Sequence, residues 1–267
     1  MSSRPIGIFD SGIGGLTVAH EILRQLPNES IIYFGDTARV PYGPKSPDTV
    51  CRYSREITSF LRDQDVKAIV VACNTATAHA LPVLRDELPI PVIGVVEPGS
   101  RAAVRASAGG HIGVIGTAGT VRSGAYERAI RALDPDARIT VRACPLLVPL
   151  VEEGWSDHPV ARQVAQEYLE PLIKEGINTL VMGCTHYPLI KSLLCKVLGP
   201  SVTLIDSAAE TAAELGQVLR DQKLDAPAGA ASPTHRFVAS DDPLQFLQLG
   251  QRFLGDAIEG VEIHTFV

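Results

Sequence analysis

Two cysteines of this chain stand in matching surroundings. Ala68-Ile-Val-Val-Ala-Cys-Asn-Thr75 and Thr179-Leu-Val-Met-Gly-Cys-Thr-His186 each pass from a short apolar run, through a small residue, to a cysteine and then to small polar residues. Such a run reads as a buried strand, and open α/β sheets bind ligands at the carboxyl ends of their strands. Cys73 and Cys184 are far enough apart for each to belong to its own half of the chain. Two thiols delivered to one cleft by equivalent halves would face a substrate from opposite sides. Racemisation is the foremost reaction that needs this. Each cysteine is expected at a helix N-terminus, where free N–H groups and the helix dipole lower a thiol pKa from its ordinary value of about 8.5.

Other side chains could assist. His186, two residues past Cys184, could tune that thiol or shuttle its proton; a structural histidine is the plain alternative. Asp10-Ser-Gly-Ile-Gly-Gly15 follows a strand and opens a helix. As a dinucleotide fingerprint it is incomplete, because Thr17 occupies the place of the third glycine and Asp10 would repel a pyrophosphate. Asp36 lies where a ribose-binding acid would sit, which keeps that reading as a minor one. The alternatives are a small-anion site served by glycine N–H groups and Ser11, or a plain turn capped by Asp10. Asp36-Thr-Ala-Arg-Val-Pro-Tyr-Gly43 is a punctuated loop able to hold Tyr42 and Gly43 over a ligand, and Glu152 reads alone as a solvated helix-end charge. Cys73, Cys184 and His186 are soft metal ligands in type, but no C-x-x-C pair or histidine cluster accompanies them, so no metal is expected. Cys51, Cys144 and Cys195 read as small buried hydrophobes.

Holding these residues in place requires two cores. The 267 residues suggest about two domains, at roughly 150 residues each, and 45% hydrophobic residues are enough to fill them. A net charge of −6, with no basic run, argues against nucleic acid as a partner. No apolar stretch reaches the roughly 18 residues of a membrane span, and no secretory leader is visible. Five widely spaced cysteines do not form a disulfide framework, so a reducing cytoplasm is the expected location.

Strands are predicted over 6–9, 31–34, 68–72, 92–95, 112–115, 139–143, 179–182 and 202–205. Helices are predicted over 17–25, 49–63, 75–88, 125–133, 160–175 and 189–198. Their alternation implies parallel βαβ units, hence two three-layer α/β domains. Ile6-Gly-Ile-Phe-Asp-Ser11 resembles Ile112-Gly-Val-Ile-Gly-Thr117, so both halves open alike. A first break is placed near Glu97-Pro-Gly99, and the second half runs to about Ser207. Residues 226–233 read as a surface loop. A strand over 236–239, a helix over 243–254 and an extended segment over 261–266 follow, and their packing is not readable from pattern.

Taken together, Gly7-Ile-Phe-Asp-Ser-Gly-Ile-Gly-Gly15, Gly35-Asp-Thr-Ala-Arg-Val-Pro-Tyr-Gly43, Ala72-Cys-Asn-Thr-Ala76, Val148-Pro-Leu-Val-Glu-Glu-Gly154 and Gly183-Cys-Thr-His-Tyr-Pro188 resemble the glutamate racemases of the aspartate/glutamate racemase superfamily. The resemblance implies a pseudo-symmetric pair of α/β domains, 1–97 plus 208–267 and 98–207, with the active site between them. It implies interconversion of L- and D-glutamate for peptidoglycan, without pyridoxal phosphate or metal, and a homodimer is expected. Cys73 and Cys184 would each serve one enantiomer. Asp10, Glu152 and His186 match auxiliary acid/base positions; Asp10, Ser11, Tyr42, Gly43, Asn74, Thr75, Thr185 and His186 match those that hold the amino acid. Rival readings are the same chemistry on aspartate, a cysteine hydrolase using Cys184 and His186, and a binding protein that keeps only the fold.

Overall fold

The computed structural model describes residues 1–227 and 232–266. The first part of the chain runs β1 (Ile6–Asp10), α1 (Leu16–Gln25), β2 (Ile31–Gly35), α2 (Pro47–Asp63), β3 (Ala68–Val71), α3 (Asn74–Glu87), β4 (Val92–Gly94) and α4 (Val96–Ser107). It continues β5 (His111–Gly116), α5 (Ala118–Ser123), α6 (Ala125–Leu133), β6 (Arg138–Ala143), α7 (Leu147–Glu152), α8 (Pro159–Lys174), β7 (Thr179–Gly183), α9 (Lys191–Leu198) and β8 (Thr203–Ile205). The tail is α10 (Ser207–Asp221), β9 (His235–Ala239), α11 (Pro243–Leu254) and β10 (Glu262–Ile263).

The strands form two parallel sheets, ordered β10-β9-β2-β1-β3-β4 and β6-β5-β7-β8. Both sheets repeat one plan. The opening strand lies between the second and third, so the chain reverses its winding direction there. That reversal opens a crevice at the strand ends, the place where α/β sheets take ligands. Cys73 follows the third strand of one sheet and Cys184 the third strand of the other.

Each sheet is covered on both faces, as parallel sheets require. Side chains alternate: Ile6 and Ile8 enter the core under α1, α10 and α11, while Phe9 enters the one under α2 and α3. The second sheet packs α7, α8 and α9 on one face and α4 and α6 on the other. The tail returns to the first sheet, where β9 pairs with β2 in register Phe34↔Val238.

The break expected near Glu97-Pro-Gly99 lies inside α4. Pro98 sits in its first turn, where no N–H is needed for the helix ladder. Gly99 is there for a close approach, since a Cβ would meet that of Ser207 at 3.1 Å. Of the loop expected over 226–233, residues 228–231 lie outside the described residues. No helix among the described residues is long and apolar enough to cross a membrane.

Candidate active site

Cys73 is the N-cap of α3, and its sulfur accepts from the Ala76 N–H at 3.5 Å. Cys184 is arranged differently. Pro188 lies in a 3-10 turn (Tyr187–Ile190), and α9 begins only at Lys191, so the helix N-terminus expected directly after this thiol is displaced. Its polar partner is instead His186, whose Nδ1 lies 3.9 Å from the Cys184 sulfur.

Both thiols are buried and line one cleft of about 340 Å³. Ser11, Tyr42, Gly43, Asn74, Thr75, Thr185 and His186 line it with them. The cleft therefore gathers every residue expected to hold an amino acid except Asp10. Asp10 and Glu152 do not line the cleft but stand one layer behind. Asp10, fully buried at the end of β1, accepts from the Gly12 N–H at 2.9 Å and from the Thr185 hydroxyl at 3.4 Å. Glu152, at the end of α7, meets His186 Nε2 at 3.0 Å. A wider groove of about 1260 Å³ between α3, α4 and α6 carries no thiol, and its Arg85 and Glu97 are paired with each other.

Charge divides the cleft into unlike halves. Burial and the nearby Asp10 push the Cys73 thiol up to about 12, against the Ala76 N–H and the Ser11 hydroxyl, which favour the thiolate. Burial alone would lower the His186 pKa. The hydrogen bonds to Cys184 and Glu152, with the charges of Cys184 and Asp10, override it and raise the value to about 10. His186 is thus an imidazolium at neutral pH, pressed against one thiol only. Burial raises Asp10 above its ordinary value, opposed by the charge of His186 and by bonds from Gly12, Gly15 and Thr185.

The loop after β2 contributes its backbone and a ring. The Tyr42 hydroxyl is spent on Asp36, which also takes Arg39 Nε at 2.8 Å and the Ser240 hydroxyl at 2.9 Å. Asp36 is therefore committed to holding this loop, not to a ribose. Gly43 is there for proximity, because a Cβ would stand 2.9 Å from that of Thr117.

Thr117, Val40, Pro41 and Val148 also line the cleft and were not singled out from sequence. The signal for Thr117 was present: it occupies the place of Ser11 in the repeated opening strand. Its hydroxyl lies 2.8 Å from that of Thr75. Of the remaining cysteines, Cys144 is buried as expected, Cys51 is half-buried, and Cys195 is exposed on the outer face of α9, contrary to expectation. Among the described residues no cluster of three or more metal-ligating side chains occurs.

The family model described as Asp/Glu/Hydantoin racemase matches residues 6–215. A glutamate racemase of Geobacter metallireducens is 53% identical over 261 residues, spanning 98% of this chain and 96% of that one. A crystal structure of a glutamate racemase isoform from Bacillus anthracis superposes with a TM-score of 0.94 at 44% identity, covering 100% of this chain and 98% of the other. That of the Francisella tularensis glutamate racemase in complex with D-glutamate gives 0.92 at 39% identity, over 99% and 98%. With a family model matching most of its length and relatives at this identity over nearly all of it, the chain belongs to the Asp/Glu/Hydantoin racemase family, among its glutamate racemases.

Proposed function

We propose that the protein interconverts L- and D-glutamate by a two-base reaction in which Cys73 and Cys184 act from opposite faces of the substrate. The observation that carries this is the pair of buried thiols, from equivalent ends of two equivalent sheets, lining a single cleft. One cysteine, as thiolate, takes the α-hydrogen as a proton and leaves the electron pair on the α-carbon. The other, as thiol, returns a proton to the opposite face, and the roles exchange when the direction reverses. The domains we assign are 1–97 plus 208–267 and 98–207, with the substrate between them.

The α-proton is far less acidic than a thiol, so the cleft must favour the charged intermediate by placement. Buried donors from Asn74, Thr75, Thr185 and nearby backbone N–H groups suit a developing negative charge, where low dielectric strengthens them. The ammonium of a bound amino acid offsets the burial and negative charge that hold Cys73 protonated. His186, backed by Glu152, serves Cys184; Asp10 serves the Cys73 side through its charge and fixes the Thr185 turn. The five unpaired cysteines suit a cytoplasmic setting, where D-glutamate would feed peptidoglycan synthesis. A homodimer is the assembly expected, readable by sedimentation equilibrium.

Circular dichroism of L-glutamate, D-glutamate, L-aspartate and D-aspartate, each incubated with the protein, tests this reading. The protein is first dialysed against chelator, and no pyridoxal phosphate is added. Both glutamate enantiomers are expected to lose signal and aspartate to react more slowly. Faster turnover of aspartate would reassign the substrate. Activity restored only by metal or cofactor would remove the two-thiol scheme.

A further inference from the structure

Tyr126, the second residue of α6, is buried, does not line the cleft, and has no part in the scheme above. It nevertheless touches both cysteine turns. Its ring packs against the backbone before Cys184, where a Cβ built on Gly183 would meet Tyr126 Cε2 at 3.0 Å. Its hydroxyl donates to Asn74 Oδ1 at 2.7 Å, on the residue after Cys73. The helix α6 packs on the second sheet, while Asn74 opens a helix of the first, so this hydrogen bond crosses between the halves.

The direction of the bond fixes the amide. Burial raises the phenol above its ordinary value, so it keeps its proton. It donates that proton to Asn74 Oδ1. With Oδ1 taken by the phenol, the NH2 of the planar amide is left for another partner. Asn74 Nδ2 is buried without a hydrogen-bond partner, and Asn74 itself lines the cleft. A buried amide donor left unmet is costly, and an acceptor arriving in the cleft would relieve that cost.

We infer that Tyr126 is a positioning residue for the reaction: acting through Asn74, it presents the amide NH2 to an acceptor oxygen of the bound amino acid, and it ties that donor to the Cys184 half of the cleft. This rests on the racemase reading above, and it adds a residue that contacts no substrate.

The test is a double-mutant cycle of Tyr126→Phe with Asn74→Ala, measured as KM and kcat for glutamate in both directions, with thermal melting as the control for folding. Tyr126→Phe is expected to raise KM about tenfold with kcat within about threefold of wild type, since one oriented donor is lost. In the Asn74→Ala background it is expected to change KM no further. An unchanged KM in Tyr126→Phe, or the same rise in both backgrounds, overturns the inference. Should the Phe variant not fold, 3-fluorotyrosine at position 126 keeps the hydroxyl. Its fluorine resonance is expected to move on saturation with glutamate, and to stay still in Asn74→Ala; equal movement in both, or none in either, contradicts the coupling. The wild type separates the two levels. If it does not racemise glutamate, the reading of function fails and this inference with it; if it does and the cycle is additive, only the inference fails.

Discussion

The two thiols have similar surroundings in sequence and dissimilar ones in charge. Cys73, pushed up to about 12, holds its proton at neutral pH, whereas Cys184 has the His186 imidazolium beside it. Asp10→Asn and His186→Asn are therefore expected to slow the two directions unequally, with the larger kcat loss about a hundredfold. Because the enantiomers are equal in free energy, kcat/KM must fall equally in both directions, and the inequality shows in kcat with a matching change in KM. Progress curves from each pure enantiomer measure it. Equal kcat losses in both variants would count against separate roles. His186 also predicts a pH effect on stability. Its folded pKa of about 10 lies above the ordinary 6.5, so its contribution is complete below about 6.5 and is lost as pH rises through 10. The urea midpoint of His186→Asn should lie furthest below wild type near pH 6, and the gap should narrow near pH 10.5; a gap that widens with pH would contradict the assignment.

At the scale of elements, the halves meet through glycines. A Cβ on Gly14 would stand 2.6 Å from His186 Nδ1 and 2.7 Å from its Cε1, and would also strike the Thr185 hydroxyl. Gly14→Ala is thus expected to displace the turn after Cys184 and to cut turnover about a hundredfold. A crystal structure should show that turn moved while β1 and α1 keep their places; wild-type turnover would mean that the turn yields freely. The sequence was most legible where one signal dominates. The Val- and Ile-rich strands are buried in parallel sheets, and all eight strands expected before the tail are present within a residue or so of their expected ends. Helices α4, α5 and α10 were not foreseen, and α7 only as the helix end implied at Glu152. Pro98 and Gly99 disguise the first, α5 and α7 are too short to show a period, and the many alanines of α10 blur its apolar stripe. Asp10 and Glu152 were legible as site residues only through resemblance. Their place behind Thr185 and His186 depends on contacts between distant segments, which local pattern does not carry.

For the whole molecule, the repeated strand order places two equivalent crevices against each other, and the tail closes the first sheet by pairing β9 with β2. The tail also reaches the site, since Ser240 holds Asp36, and Asp36 holds Tyr42. Ser240→Ala is expected to raise KM for glutamate about threefold and to lower the melting temperature by a few degrees, as two buried hydrogen bonds, one to Asp36 and one from the Ala38 N–H, are lost; steady-state kinetics and a melt decide it, and an unchanged KM would detach the tail from the site. The central claim is that both thiols are needed because they serve opposite faces. Its most direct measurement is the racemisation rate of Cys73→Ser and Cys184→Ser beside the wild type, together with elimination from each enantiomer of a glutamate analogue bearing a good leaving group. Both variants are predicted to lose racemisation nearly completely, because a serine hydroxyl is a much poorer base at neutral pH, and to retain elimination toward opposite enantiomers. Racemisation of glutamate at the wild-type rate by either single variant would contradict the two-sided mechanism.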